Sequence, residues 1–206
     1  PVVVGAMAGL VEGNRFFTSS GAKPGEVIVL TKTIGIEGTA ILASDYEAFL
    51  IKELGEDVIT KARSMLKKIS VVKECLLAAK VNGVSAMHDL TEGGLVAALH
   101  ELSEASNVGF KVNLDAVPIA NETLVICEVL KVNPYQLVSS GSALITVEKN
   151  YAEELVTKLG EIGVLATVIG ETVEKSLGKV FLINGKPVEF ATLQEELWKV
   201  FKKYFR

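Results

Sequence analysis

The residues whose types and spacing best suit ligand binding or catalysis form one stretch, residues 88–95, with the sequence HDLTEGGL. It joins a strand-like run, residues 83–87, to an apolar helical pattern that begins near residue 95. A helix N-terminus leaves backbone N–H groups without partners and carries a partial positive charge, and two glycines let an anion approach those groups closely. The sequence therefore predicts a phosphate or substrate contact here. The predicted contact residues are Asp89, Thr91, Glu92, Gly93 and Gly94.

A purely structural explanation of the same stretch stays open. Asp89 would cap the helix, and Glu92, three residues later, would complete a capping box with the glycines incidental. Each glycine in a first helical turn costs roughly 0.5–1 kcal/mol relative to alanine, so two in succession favour a compensating use. His88 could serve as an acid or base, but a histidine at a strand end is more often a hydrogen-bonded structural residue. We therefore assign no catalytic residue.

Two further turns, residues 33–39 and 139–142, lie beside predicted strand ends, where mixed sheets tend to bind ligands. Glycines in them would allow close backbone approach, and hydroxyls would donate hydrogen bonds. The expected ligand contacts are Gly35, Gly38, Thr39, Ser140 and Gly141. Each turn has an alternative explanation as a structural turn, because glycine turns before helices are common.

Other recognisable chemical motifs are missing from the sequence. It contains no Ser-His-Asp pattern, phosphate-binding P-loop or dinucleotide fingerprint. Cys75 and Cys127 lie in helical patterns without a C-x-x-C motif, which predicts buried thiols and neither a disulfide framework nor a zinc site. Asp89 and Glu92 would be only part of a Mg²⁺ site. No metal site is predicted from these residues.

Composition limits the class of protein. The 206 residues are 49% hydrophobic, enough for one well-packed domain. The net charge of −4 and the lack of a basic, aromatic surface pattern argue against nucleic-acid binding. No apolar run approaches the roughly 20 residues of a membrane span, and no signal peptide is visible. We predict a cytoplasmic protein without membrane partners, whose natural start lies upstream of Pro1.

Helical and strand patterns alternate along the chain, which predicts an α+β fold with layered helices on a mixed sheet. Residues 1–20 are expected to form an initial strand or hairpin that turns at Gly13-Asn14. Asn184-Gly185 is a strong hairpin signal. The chain closes with an amphipathic helix whose aromatic stripe is expected to pack in the core or against a partner.

Four segments together resemble the C-terminal domain of the aminoimidazole ribonucleotide (AIR) synthase superfamily. The similarity extends through nearly the whole chain and is greatest to HypE hydrogenase expression/formation proteins and to AIR synthase-related proteins. The segments are residues 21–26 (GAKPGE), 35–40 (GIEGTA), 89–95 (DLTEGGL) and 104–109 (EASNVG).

The resemblance implies a three-layer α/β/α domain with partial ferredoxin-like topology, occupying residues 1–206 as a single unit. It also implies a two-domain, homodimeric enzyme whose N-terminal half binds ATP and Mg²⁺ and phosphorylates an oxygen atom to activate it. The C-terminal half would cover the cleft and help to hold a phosphate, nucleotide or substrate. This chain is similar to the C-terminal half only, so it is expected to be inactive alone.

One departure from HypE proteins affects the expected substrate. They end in a cysteine that accepts a carbamoyl group, whereas this chain ends at Arg206 after Lys203-Tyr204-Phe205. A relative with a different small substrate is therefore expected. The alternative is a non-catalytic binding or assembly module that exposes the N-terminal strand or the C-terminal helix to a partner.

Overall fold

The computed structural model describes residues 2–11, 13 and 16–204. Within them the strands are β1 (Val27–Thr31), β2 (Val84–Asp89), β3 (Gly109–Asn113), β4 (Ala143–Val147), β5 (Ala166–Val173), β6 (Lys179–Ile183) and β7 (Lys186–Val188). The α-helices are α1 (Ile36–Asp45), α2 (Glu47–Leu54), α3 (Glu56–Ser64), α4 (Val72–Ala78), α5 (Gly94–Ser106), α6 (Asn121–Leu130), α7 (Ala152–Glu161) and α8 (Leu197–Tyr204).

The strands form one mixed sheet in the order β2-β4-β1-β5-β3-β6-β7. β1 pairs antiparallel with both β4 and β5, so β4-α7-β5 is a split β-α-β unit around β1, as in ferredoxin-like folds. β3 pairs in parallel with β6. The predicted α+β class with a mixed sheet and partial ferredoxin-like topology is confirmed.

Alternate residues of each central strand point to opposite sides of the sheet, and apolar residues lie on both sides. Helices cover both faces and bury these side chains. Ile28 and Leu30 of β1 pack with α5 residues in one core, whereas Val29 packs with residues of α4 and α7 in another. This arrangement gives the three α/β/α layers. A third core joins residues of α1, α2, α3, α6 and α8, and the candidate site lies beside this helical group.

The predicted initial strand is absent from residues 2–11, which form no regular structure. Its apolar side chains satisfy the local preference for a strand, but a strand also needs a hydrogen-bonding neighbour, and none of the described strands pairs with this segment. Gly13 lies in a turn, and Asn14, the other residue of the predicted turn, lies outside the described residues.

Most other element predictions hold, with corrections at the boundaries. The Asn184-Gly185 hairpin is confirmed, with φ angles of 50° and 71° at its two turn residues. Residues 40–50 belong to two helices, α1 and α2, which meet at Tyr46. A 3₁₀ turn over Lys149–Tyr151 leads into α7, whose N-cap is Tyr151. No helix among the described residues is long and apolar enough to cross a membrane.

Candidate functional site

The turn between β2 and α5 is held by glycines and not by a capping box. Gly93 is the N-cap of α5, without a side-chain cap, and Asp89 is the last residue of β2. Gly93 and Gly94 have φ angles of 75° and 59°. A Cβ atom on Gly94 would lie 2.5 Å from the Leu137 carbonyl oxygen. The two glycines are therefore required by left-handed backbone and by the close approach of another chain segment.

The anion at this helix N-terminus is supplied by the chain itself. The Glu195 carboxylate accepts hydrogen bonds from the backbone N–H groups of Gly93 (2.6 Å), Val138 (3.0 Å) and Leu197 (3.0 Å). Glu195 is only 7% exposed. A negative group beside the first turn of α5 matches the partial positive charge there. Glu195 thus occupies the position at which the sequence predicted a phosphate contact.

Burial raises the pKa of the Glu195 carboxyl group above its ordinary value of 4.5, although its three backbone hydrogen bonds act in the opposite direction. The neighbouring Glu196 charge raises the pKa further. The folded protein therefore keeps the Glu195 proton to a higher pH than the unfolded chain does.

This shift predicts a pH-dependent stability difference between the wild type and Glu195→Gln, which does not titrate at that position. The stability associated with the Glu195 proton is fully present below about pH 4.5 and is lost as the pH rises through the folded-state pKa. Urea denaturation of both proteins at a series of pH values measures the difference. We expect the wild type to lose stability relative to Glu195→Gln as the pH rises, and a constant difference would contradict the shift.

The three predicted turns meet around one cavity of about 420 Å³, which we call the turn cavity. The turns contribute one wall, and the C-terminal helix α8 with the residues before it contributes the other. The lining residues are Glu37, Ile41, Thr91, Glu92, Val138, Ser140, Glu195, Leu197, Trp198 and Phe201. Three of these carry carboxyl groups and none carries a basic group, so the described walls are acidic.

Backbone hydrogen bonds tie the turns to each other. The Gly38 N–H donates to the Val138 carbonyl (2.9 Å), and the Ser139 N–H donates to the Thr91 carbonyl (3.3 Å). The Gly35 N–H donates to Ser139 Oγ (2.6 Å). Because these bonds link three segments that are distant in sequence, the geometry of the turn cavity is fixed by the fold.

The predicted site residues divide into an accessible and a buried group. Thr91, Glu92 and Ser140 line the turn cavity, whereas Asp89 is exposed but outside its lining. The buried residues are Gly35, Gly38, Thr39, Gly93, Gly94 and Gly141. Their positions serve the turns themselves, as the Thr39 hydroxyl shows by its 2.8 Å hydrogen bond to Thr123 Oγ1. Ligand contact by either group stays a prediction.

Other reactive side chains lie outside the turn cavity. His88 Nε2 is 2.9 Å from Glu101 Oε2, an ion pair or hydrogen bond on the surface of β2 and α5. Burial raises the thiol pKa of Cys75 to about 11 and that of Cys127 to about 12, so neither is a reactive thiolate near neutral pH. Within the described residues, no three metal-ligating side chains converge on one point.

The sequence patterns did not identify Glu195 as part of this site. An acidic pair before an amphipathic helix is an ordinary helix start, and Glu195 lies 102 residues from its partner Gly93. Only the path of the chain brings the two together.

Comparison with known proteins identifies the family. Residues 23–183 match the family described as AIR synthase related protein, C-terminal domain. The chain belongs to this family. The match includes all three turns that line the turn cavity. Glu195 and helix α8 lie beyond its end.

Individual relatives support the same assignment. The domain is 29% identical to a putative hydrogenase expression/formation protein of Methanocaldococcus jannaschii, covering 87% of this chain and 51% of that protein. It is 29% identical to the carbamoyl dehydratase HypE of Escherichia coli, covering 81% of this chain and 47% of that protein. The chain therefore spans about half the length of the curated relatives it matches.

Solved structures share the fold. A crystal structure of Escherichia coli HypE has a TM-score of 0.71 and 24% identity, covering 91% of this chain and 55% of that chain. A structure of HypE in complex with ATP has a TM-score of 0.65 and 21% identity, covering 87% and 54%. The predicted membership of the AIR synthase superfamily, close to HypE, is confirmed.

Proposed function

We propose that this chain is the C-terminal, substrate-covering domain of an ATP-dependent enzyme of the AIR synthase-related family. Family membership and the ATP-bound HypE structure support an ATP-dependent enzyme domain. In our proposal an N-terminal half holds ATP and Mg²⁺, forms a homodimer in the cytoplasm, and transfers phosphate to an oxygen atom of a small substrate. The chain described here closes the cleft over that substrate and is inactive alone.

The convergence of three turns on the turn cavity carries this proposal. Thr91 and Ser140 bring hydroxyl groups to it, and Glu37 and Glu92 bring carboxyl groups. Hydroxyl groups can donate hydrogen bonds to phosphate or substrate oxygens. The acidic walls suit a phosphate group that carries its Mg²⁺ better than a free phosphate anion. Since no metal-ligand cluster exists among the described residues, most Mg²⁺ ligands would come from the nucleotide and the N-terminal half.

Removing the cavity hydroxyls tests this role. We expect Thr91→Val with Ser140→Ala to lower kcat/KM about tenfold when the chain is combined with a family N-terminal half, because two hydrogen bonds to the bound ligand are lost. Thr157→Val with Ser176→Ala removes the same groups at exposed positions elsewhere. The measurement is ATP-dependent phosphate release at varied ATP·Mg²⁺. Equal kcat/KM values for the two double variants would contradict a role of the turn cavity in binding the ligand.

A titration of the isolated chain with ATP·Mg²⁺ provides an independent test. Backbone amide NMR would follow the signals of residues 35–39 and 91–95. We expect shifts confined to these turns if the domain contacts the nucleotide. Absence of shifts both here and in the combined halves, together with no ATP turnover, would overturn the enzyme proposal.

The second candidate function is a non-catalytic assembly module, and one observation favours it. Val2, Val3, Val4, Met7 and Leu10 are between 85% and 101% exposed. Apolar side chains concentrated in one exposed segment are typical of a surface that contacts another protein or domain. ATP turnover by the combined halves discriminates between the candidates, because a pure assembly module would not need to contact the nucleotide.

A further inference from the structure

A second and larger cavity lies outside the turn cavity, and we call it the lysine cavity. Its volume is about 700 Å³. It opens beyond the end of β1, between the 3₁₀ turn that follows α3, the starts of α4 and α6, and residues 163–165 before β5. Its charged lining residues are Lys32, Lys61, Lys68, Lys73, Glu74 and Glu122.

The two cavities have opposite charge. The lysine cavity is lined by four lysines and two glutamates, whereas the turn cavity has three glutamates and no basic residue among its described walls. The whole chain carries a net charge of −4, so this local excess of lysines runs against the average composition. A concave surface with one dominant sign of charge concentrates ions of the opposite sign. Of these two cavities, the lysine cavity is therefore the one whose charge attracts an anion.

Lys32 is a fixed part of the wall. Its ammonium group lies 2.7 Å from Glu74 Oε1 and donates hydrogen bonds to the carbonyl oxygens of Lys68 (3.0 Å) and Ser70 (2.8 Å). The Lys32 side chain is 18% exposed, and its φ angle of 55° is unusual for a residue other than glycine. These contacts hold β1, the 3₁₀ turn and α4 together around the cavity.

Lys61 and Lys68 remain available to a ligand. Both side chains are exposed, and among the described residues neither ammonium group has a hydrogen-bonding or ion-pairing partner. Lys73, by contrast, donates to the Ile162 carbonyl oxygen (2.6 Å). Uncommitted ammonium groups in the lining of a cavity are charged donors that suit the oxygens of a phosphate group.

The floor of the lysine cavity is apolar. Ile36 and Met65 belong to a small buried core against which Ala120 packs, and Val164 and Leu165 complete this side. Cavities of about 300–1,000 Å³ with mainly apolar walls and a few polar groups are typical of small-molecule sites. The floor favours a ligand with an apolar or planar body in addition to its anionic group.

We propose that the lysine cavity binds a phosphorylated small molecule with a planar apolar body, of the class of a nucleoside monophosphate. Lys61 and Lys68 hold the phosphate, and the body lies on the apolar floor. This site is separate from the turn cavity and does not depend on the proposed enzymatic role.

The test uses AMP and inorganic phosphate as probes, without Mg²⁺. Calorimetry measures the Kd, and amide NMR locates binding at residues 163–165 or at residues 91–95. We expect AMP to shift residues 163–165 and to bind at least tenfold more tightly than phosphate. The Lys61→Gln, Lys68→Gln double variant should weaken AMP binding about tenfold, because two charge-assisted hydrogen bonds are lost. Circular dichroism checks that the variant is folded.

Lys67→Gln is the matched control, since Lys67 is exposed and adjacent to Lys68 but does not line the cavity. It should change the Kd less than twofold. An unchanged Kd in the double variant, or an equal loss in Lys67→Gln, would overturn the proposal. Equal Kd values for phosphate and AMP would overturn the assignment of a ligand with an apolar body. Shifts at residues 91–95 alone would place AMP in the turn cavity and also overturn it.

Discussion

Glu195→Ala is expected to lower the free energy of unfolding by about 3 kcal/mol or more and to release helix α8. The substitution leaves the backbone N–H groups of Gly93, Val138 and Leu197 without their acceptor. An unsatisfied buried donor costs about 1–3 kcal/mol, and partial access of water to the opened turn keeps the total near the lower end of the sum. Urea denaturation followed by circular dichroism measures the loss.

Two control variants and one built-in reporter sharpen this test. Glu195→Gln keeps an amide oxygen as an acceptor and should lose less than half as much stability. Glu189→Ala removes an exposed carboxylate elsewhere in the chain and should change the free energy of unfolding by less than about 0.5 kcal/mol. Trp198, the only tryptophan, lies in α8 and should show altered fluorescence in Glu195→Ala. An unfolding midpoint equal to that of Glu189→Ala would refute the structural role of Glu195.

The second large effect is expected at the wall of the lysine cavity. Lys32→Met should lower the free energy of unfolding by about 3–5 kcal/mol, because it leaves the Glu74 carboxylate buried without its counter-charge. Glu74 is only 2% exposed. Adding Glu74→Met to this variant should recover most of the loss, since the double variant buries two apolar side chains and no charge. A double-mutant cycle from urea denaturation gives the coupling energy.

An exposed ion pair provides the comparison for this cycle. Lys158 and Glu154 pair one turn apart on the surface of α7, and Lys158→Met should cost no more than about 0.5 kcal/mol. If Glu74→Met fails to restore stability to Lys32→Met, the loss comes instead from the two carbonyl bonds that the Lys32 ammonium group makes. That result would contradict the buried-charge explanation.

The turn at residues 90–94 shows what a local sequence pattern can and cannot predict in this protein. The pattern predicted a helix start rich in free donors, and α5 does begin at Gly94. It also predicted an anion at those donors, which is Glu195 in this structure. The pattern could not identify this carboxylate, because backbone N–H groups donate hydrogen bonds to phosphate oxygens and to carboxylate oxygens alike.

The N-terminal segment shows the opposite outcome. Its apolar, branched residues predicted a strand, yet residues 2–11 have no strand partner among the described residues. A strand is stabilised by pairing and burial more than by intrinsic preference. The hairpin at Asn184-Gly185 was predictable because its turn residues impose the left-handed backbone locally, whichever strands they join.

The sequence by itself determined the fold class, the order of most elements, the hairpin and the family, because periodicity, turn residues and motif spacing are local properties of the chain. The tertiary structure decided which residues meet. It brought Glu37, Thr91 and Ser140 to one cavity, Glu195 to the N-terminus of α5, and Lys61 and Lys68 to another cavity. Contacts between residues distant in sequence depend on how the helices and strands pack, so a local sequence pattern does not predict them.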